Sequence, residues 1–141
     1  MFRYVRAMSF DKQRIEDRLA SLAEPVTDHL IKLYLFSNSE YRDHWRKEIW
    51  SFLNKVPKLR MNNKFPSSNF IFKLISGYAD MASQLMFATI DEYSELTPER
   101  FDSEELESIL IEYFKWISSK LSQEGVVRSS EVYAKLDELT L

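Results

Sequence analysis

The residues best suited to chemistry are the two histidines of the chain, His29 and His44, each of which directly follows an aspartate. Imidazole and carboxylate groups that project from facing helices build metal sites in helical bundles. His29 and His44 are therefore the candidate ligands if the protein depends on a metal. The Glu-x-x-His spacing typical of such bundles is absent, however, and no third histidine completes the set.

The same two stretches have a plainer interpretation as helix surface. Asp28 stands four residues before Lys32, and Asp43 stands four residues before Lys47. Opposite charges at this spacing form ion pairs on one helix face, each worth about 0.2 to 0.5 kcal/mol. The sequence favours these ion pairs, and a metal-dependent protein built on His29 and His44 stays as the second alternative.

No group in the sequence is marked as a catalyst. The chain has no cysteine, which excludes thiol nucleophiles, disulfides and cysteine-ligated zinc, and it contains no nucleophile motif. Glu112 comes nearest to an apolar setting among the 22 acidic residues, but helical spacing places it on the outer face. We therefore expect no catalytic residue and no cofactor, which favours a protein that is not an enzyme.

The charge distribution is the unusual feature of the chain. Residues 42–73 contain eight lysines and arginines against two acidic residues, whereas residues 80–112 contain ten acidic residues against one arginine. The net charge of −3 conceals this separation. The cationic candidates for partner contact are Arg42, Arg46, Lys55, Lys58, Arg60 and Lys64. The acidic surface opposite them is expected around Asp91, Glu92, Glu95 and Glu99.

Two functions follow from this separation of charge. The first is a non-catalytic interaction or regulatory module that binds a protein partner or a second copy of itself through complementary surfaces. The alternative is a nucleic-acid-binding protein whose basic segment, residues 42–73, contacts phosphates while Trp50 or Phe65 stacks on bases. The sequence pI of about 5.5 favours the first.

Length and composition indicate one globular domain. With 141 residues and 45% hydrophobic side chains, the chain is long enough to bury a core without disulfides. Two glycines and four prolines are too few for a chain of tight hairpins. No secretory signal and no run of eighteen apolar residues occurs, so we expect a cytoplasmic protein that does not insert into a membrane.

The apolar spacing predicts an all-α fold, a single compact bundle of five or six helices. The expected helical segments are residues 9–23, 25–36, 37–56, 69–89, 103–124 and 129–139. The first two are expected to kink at Pro25, and a Ser37–Glu40 capping box is expected to start the third. Asp102 and Glu105 are expected to cap the fifth segment. Its predicted inner face consists of Leu106, Leu110, Tyr113, Ile117 and Leu121. The fourth segment is apolar around more than half its circumference, which predicts a central position. Residues 9–141 form the predicted domain. Residues 1–8 are either a poorly ordered extension or the start of that domain, and the sequence favours neither.

The third segment specifies the clearest buried face. Tyr41, Trp45, Ile49 and Leu53 follow one another at helical spacing, so they share one side of a helix that must be covered by its neighbours.

Part of the chain is similar to a known family. The HLIK stretch at residues 29–32, Trp45 with Ile49 four residues later, and the VPKL stretch at residues 56–59 resemble a helical segment of the bacterial domain-of-unknown-function family twenty-nine. The resemblance covers residues 29–59. It implies an all-helical bacterial protein and assigns no site.

Overall fold

The computed structural model describes residues 2–54, 73–74, 77–124 and 127–141, except for the side chains of residues 2–16, 18, 19 and 121–124. Five helices have defined bounds: α1 (Phe2–Leu35), α2 (Arg42–Asn54), α3 (Ala82–Glu92), α4 (Ser103–Glu124) and α5 (Ser129–Glu138). Residues 73–74 and 77–80 are helical as well, and the described part of the chain contains no strand. The predicted all-α bundle of five or six helices is confirmed.

The C-terminal half of α1 is the centre of the bundle. Leu30, Leu33 and Leu35 are fully buried, and Tyr34 between them is buried as completely. Helices α2, α3 and α4 all pack against α1. The described part of the fourth predicted segment is not central, since Met81 and Phe87 are exposed there, and its residues 69–72, 75 and 76 lie outside the described residues. The correct signal was the nearly unbroken apolar run at residues 30–36, because a helix that is apolar on every side has to be covered on every side.

Pro25 lies inside α1 and does not divide it. The predicted boundary between two helices at this position was wrong. Proline removes one backbone donor from the helix, and its effect is limited here because the side chains that follow it are held by burial. Val26 is 1% exposed, and the core contacts continue to Phe36.

Helix α2 confirms the buried stripe in part. Trp45, Ile49 and Leu53 are buried, whereas Tyr41 is 43% exposed. The helix begins at Arg42 and not at Ser37. Residues 36–41 form turns instead. Val56, the predicted end of this helix, lies outside the described residues.

The connector from Tyr93 to Asp102 crosses the end of α1 and is bonded to it. The Glu99 backbone N–H donates to the Leu35 carbonyl oxygen at 2.7 Å. The Asp102 N–H donates to the Tyr34 hydroxyl at 3.0 Å, and the same hydroxyl donates to the Asp102 carbonyl at 3.1 Å. The connector thereby fixes where α4 begins.

Helix α4 follows its sequence pattern closely. The Asp102 carboxylate accepts the backbone N–H groups of Glu104 at 3.0 Å and Glu105 at 3.3 Å, which confirms its predicted capping role. Four of the five predicted inner residues are buried: Leu106, Leu110, Tyr113 and Ile117. The side chain of the fifth, Leu121, lies outside the described part of the chain.

Helix α5 docks on the bundle through Val132 and Leu136, both fully buried. Its main neighbour is α2. Within the described ranges, none of the helices is at once long enough and apolar enough to cross a bilayer.

Candidate functional site

The two histidines meet the same carboxylate. His29 is buried in α1, where its Nδ1 donates to the Pro25 carbonyl oxygen at 2.7 Å. Its Nε2 contacts Glu48 Oε2 on α2. His44 Nε2 lies 2.7 Å from Glu48 Oε1. Glu48 therefore joins a buried imidazole and a largely exposed one across the α1–α2 contact.

His29, His44 and Glu48 form a histidine cluster at the contact between α1 and α2. The edge of the His29 ring packs on Phe52, with ring centroids 5.3 Å apart. Both oxygens of Glu48 are used by imidazole nitrogens. Among the described residues no group of three or more histidine, aspartate or glutamate side chains is placed to hold a metal ion. The His29–Glu48 contact therefore fastens α2 to α1, and His44 holds the Glu48 carboxylate from within α2.

The two local ion pairs predicted beside the histidines differ in outcome. Lys32 Nζ lies 2.8 Å from Asp28 Oδ2, and the ammonium also stands 5.1 Å from the Tyr93 ring centroid. Burial lowers the pKa of Lys32, but the hydrogen bonds and charges of Asp28 and Tyr93 outweigh burial and raise it. In the part of the chain that the structure describes, no ion pair joins Asp43 to Lys47.

Two of the six cationic candidates are described, and both contact α5. Arg46 donates to the Tyr133 carbonyl at 3.0 Å and to Asp137 Oδ1 at 2.8 Å. Its guanidinium lies 5.3 Å from the Tyr133 ring centroid. Arg42 is more loosely placed, 3.8 Å from Asp137. The other four candidates, Lys55, Lys58, Arg60 and Lys64, lie outside the described residues.

Arg42 also lines an open cavity of about 520 Å³ at the start of α2. Three carboxylates, those of Glu40, Asp43 and Asp137, line the same cavity. The surplus of negative charge opposes phosphate binding at this position. The described end of the basic segment therefore lends no support to nucleic-acid contact.

The predicted acidic surface is present on α3 and the connector. Asp91, Glu92 and Glu95 are exposed, and within the described ranges none of them forms an ion pair. Glu99 differs from them because its carboxylate accepts the Ser37 hydroxyl. Two large apolar side chains share this region: Phe87 is 60% exposed and Met81 is 47% exposed. We call Met81, Phe87, Asp91, Glu92 and Glu95 the α3 surface.

Sequence reasoning did not identify Glu48. Its spacing of four residues from His44 was a usable signal, since such pairs meet on one helix face. Its contact with His29, nineteen residues away, depends on how α1 and α2 pack. Glu112 was correctly placed on the outer face, where it accepts a bond from Lys135 at 3.1 Å.

Comparisons of this chain with family models, curated proteins and solved structures find no match. The resemblance to the domain-of-unknown-function family twenty-nine therefore stays a prediction.

Proposed function

We propose that this chain is a non-catalytic, cytoplasmic interaction module that self-associates through the α3 surface. The observation that carries the proposal is the exposed Phe87 ring on α3. Asp91 follows it by four residues and so shares its helix face. An apolar ring beside carboxylates that form no ion pair with the described residues is the composition of a protein-binding patch with a polar rim.

A second copy is the partner that the charges favour. The α3 surface carries the negative charge of Asp91, Glu92 and Glu95, and the same chain carries the cationic residues Lys55, Lys58, Arg60 and Lys64 in another segment. In a dimer with a two-fold axis, the α3 surface of each copy meets the cationic segment of the other, so the same contact forms twice. Such complementarity steers association and fixes its register.

Light scattering after gel filtration, at 50 and 500 mM NaCl, tests this proposal. We expect a dimer at low salt and a Kd about tenfold weaker at high salt, because exposed charges are screened. Phe87→Ser should abolish the dimer. Phe101→Ser is the matched control, since Phe101 is 65% exposed and lies outside the α3 surface.

Charge reversal identifies the contacting surfaces. Glu92→Lys combined with Glu95→Lys should give a monomer, and so should Lys58→Glu combined with Arg60→Glu. A mixture of the two double variants should form a heterodimer, because each supplies the charge that the other lacks. A wild-type chain that remains monomeric at 50 mM NaCl and high concentration would overturn the proposal. Nucleic-acid binding that the Lys58→Glu, Arg60→Glu variant loses would favour the alternative.

A further inference from the structure

A second recessed region lies between α1 on one side and α3, with the segment that leads into it, on the other. It is a partly enclosed cavity of about 280 Å³. This volume is near the lower end of small-molecule pockets. The polar groups that line it come from both sides: Glu24, Thr27 and Asp28 of α1, and Tyr78 and Thr89 opposite.

Thr27 lines this cavity and carries a buried hydroxyl. The residue is 1% exposed, and its Oγ1 has no hydrogen-bond partner among the described residues. Thr89, which also lines the cavity, satisfies its own hydroxyl by donating to the Leu85 carbonyl at 2.8 Å. A buried hydroxyl without a partner reduces stability. It is therefore a polar atom that a bound molecule can satisfy.

The cavity is also negatively charged. The Asp28 carboxylate is paired with Lys32, whereas Glu24 is exposed and forms no ion pair within the described ranges. Burial raises the pKa of Tyr78, and the nearby charge of Glu24 raises it further. Tyr78 therefore stays neutral beside the Glu24 carboxylate, and no described residue supplies a counterion for Glu24 at the cavity.

The remaining lining is apolar. Ile31 is buried and Leu85 is partly buried against the core. The Tyr78 ring stacks on Phe114 with centroids 6.0 Å apart and planes 18° apart, which holds it in place. An aromatic ring next to a carboxylate attracts cations through the charge distribution of the ring.

We propose that this cavity is a binding site for a small organic ammonium ion with a compact apolar body. The ammonium group donates hydrogen bonds to the Glu24 carboxylate and, after rotation of the Thr27 side chain, to Thr27 Oγ1. The body lies against Ile31, Leu85 and Tyr78.

Titration of the ¹⁵N-labelled full chain with three probes of one shape tests this inference. Benzylammonium carries a positive charge, benzyl alcohol is neutral and benzoate is negative. We expect benzylammonium to shift the amide signals of Thr27 and Thr89, with the alcohol at least about tenfold weaker and benzoate without effect, because a charge-assisted hydrogen bond is worth that factor or more.

Two variants separate binding from folding. Glu24→Gln should weaken benzylammonium about tenfold, while Glu107→Gln, an exposed carboxylate that does not line the cavity, should leave it unchanged. Thr27→Val should weaken binding and yet raise the thermal midpoint, since it removes the unpartnered hydroxyl. Equal binding of the alcohol, binding unaffected by Glu24→Gln, or no binding of benzylammonium would each overturn the inference. None of these outcomes depends on the oligomeric state.

Discussion

Two buried tyrosines show how much the setting of one hydroxyl matters. The Tyr34 hydroxyl exchanges two hydrogen bonds with the Asp102 backbone. The Tyr113 hydroxyl, fully buried on α4, has no hydrogen-bond partner in the part of the chain that the structure describes. Burial alone raises the pKa of Tyr113 far above its ordinary value. The same functional group is thus stabilising at one position and costly at the other.

Replacement of each tyrosine by phenylalanine should therefore change stability in opposite directions. Tyr113→Phe should raise the free energy of unfolding by about 1 kcal/mol, because it removes an unsatisfied buried group. Tyr34→Phe should lower it by about 1 to 3 kcal/mol, because the Asp102 N–H loses its acceptor. Urea unfolding followed by circular dichroism measures both.

The pH dependence gives a further check on Tyr113. Burial raises the pKa of Tyr113 in the folded state above the unfolded value of about 10. As the pH rises above about 10, Tyr113 ionises first in the unfolded chain, and this lowers the free energy of unfolding. The stability gap between Tyr113→Phe and the wild type should widen above pH 10. An unchanged gap, or phenolate absorbance from Tyr113 before unfolding, would contradict the assignment.

At the scale of the helices, one arginine supplies polar contacts that join α5 to α2. The Arg46 side chain is only 12% exposed, whereas that of Arg42 is 35% exposed. Both approach Asp137, but only Arg46 also reaches the Tyr133 carbonyl and ring. A residue predicted for partner contact is thus engaged within the fold.

Arg46→Ala should destabilise the protein by about 2 kcal/mol, since it removes two hydrogen bonds of a largely buried cation. Arg42→Ala, the matched control, should cost less than about 0.5 kcal/mol, as expected for an exposed pair. Arg46→Lys should recover little, because an ammonium lacks the planar fork of donors. Thermal unfolding measures the series, and equal losses for Arg46→Ala and Arg42→Ala would remove the special role of Arg46.

At this scale the sequence predicted the features that depend only on residues close together in the chain. The Asp102 cap and the inner face of α4 require only local spacing, and both are confirmed. The predicted start of α2 at Ser37 was wrong, because the Ser37 hydroxyl donates instead to Glu99, sixty-two residues away. The candidate site also combines local contacts with contacts made by packing. His44 and Glu48 are neighbours on one helix, whereas His29 meets Glu48 and Arg46 meets α5 only after the helices pack.

At the scale of the whole molecule, the core joins α1 and α2 to the connector through aromatic rings. Trp45 is 4% exposed, and its ring centroid lies 5.9 Å from that of Tyr93 and 6.4 Å from that of Phe36. Three parts of the chain that are distant in sequence therefore meet at one indole. The largest loss of stability is expected where such a ring is removed.

Trp45→Ala should lower the free energy of unfolding by about 3 to 5 kcal/mol. Tyr41→Ala is the control, because Tyr41 lies one turn earlier on the same predicted stripe but is exposed; it should cost about 1 kcal/mol or less. Chemical denaturation followed by far-UV circular dichroism distinguishes the two. A wild-type midpoint for Trp45→Ala would show that the indole is not part of the core.

The bonds that join the connector to α1 affect amide hydrogen exchange. The Glu99 and Asp102 N–H groups lie in a stretch without helix, yet both are engaged by the end of the central helix. Exchange at bonded amides requires the bond to open. These two amides should therefore exchange as slowly as the buried amides of α1, and only when the end of α1 opens. The amides of Ser94 and Glu95 should exchange quickly. A segment that looks like a surface loop would thus report on the innermost part of the protein.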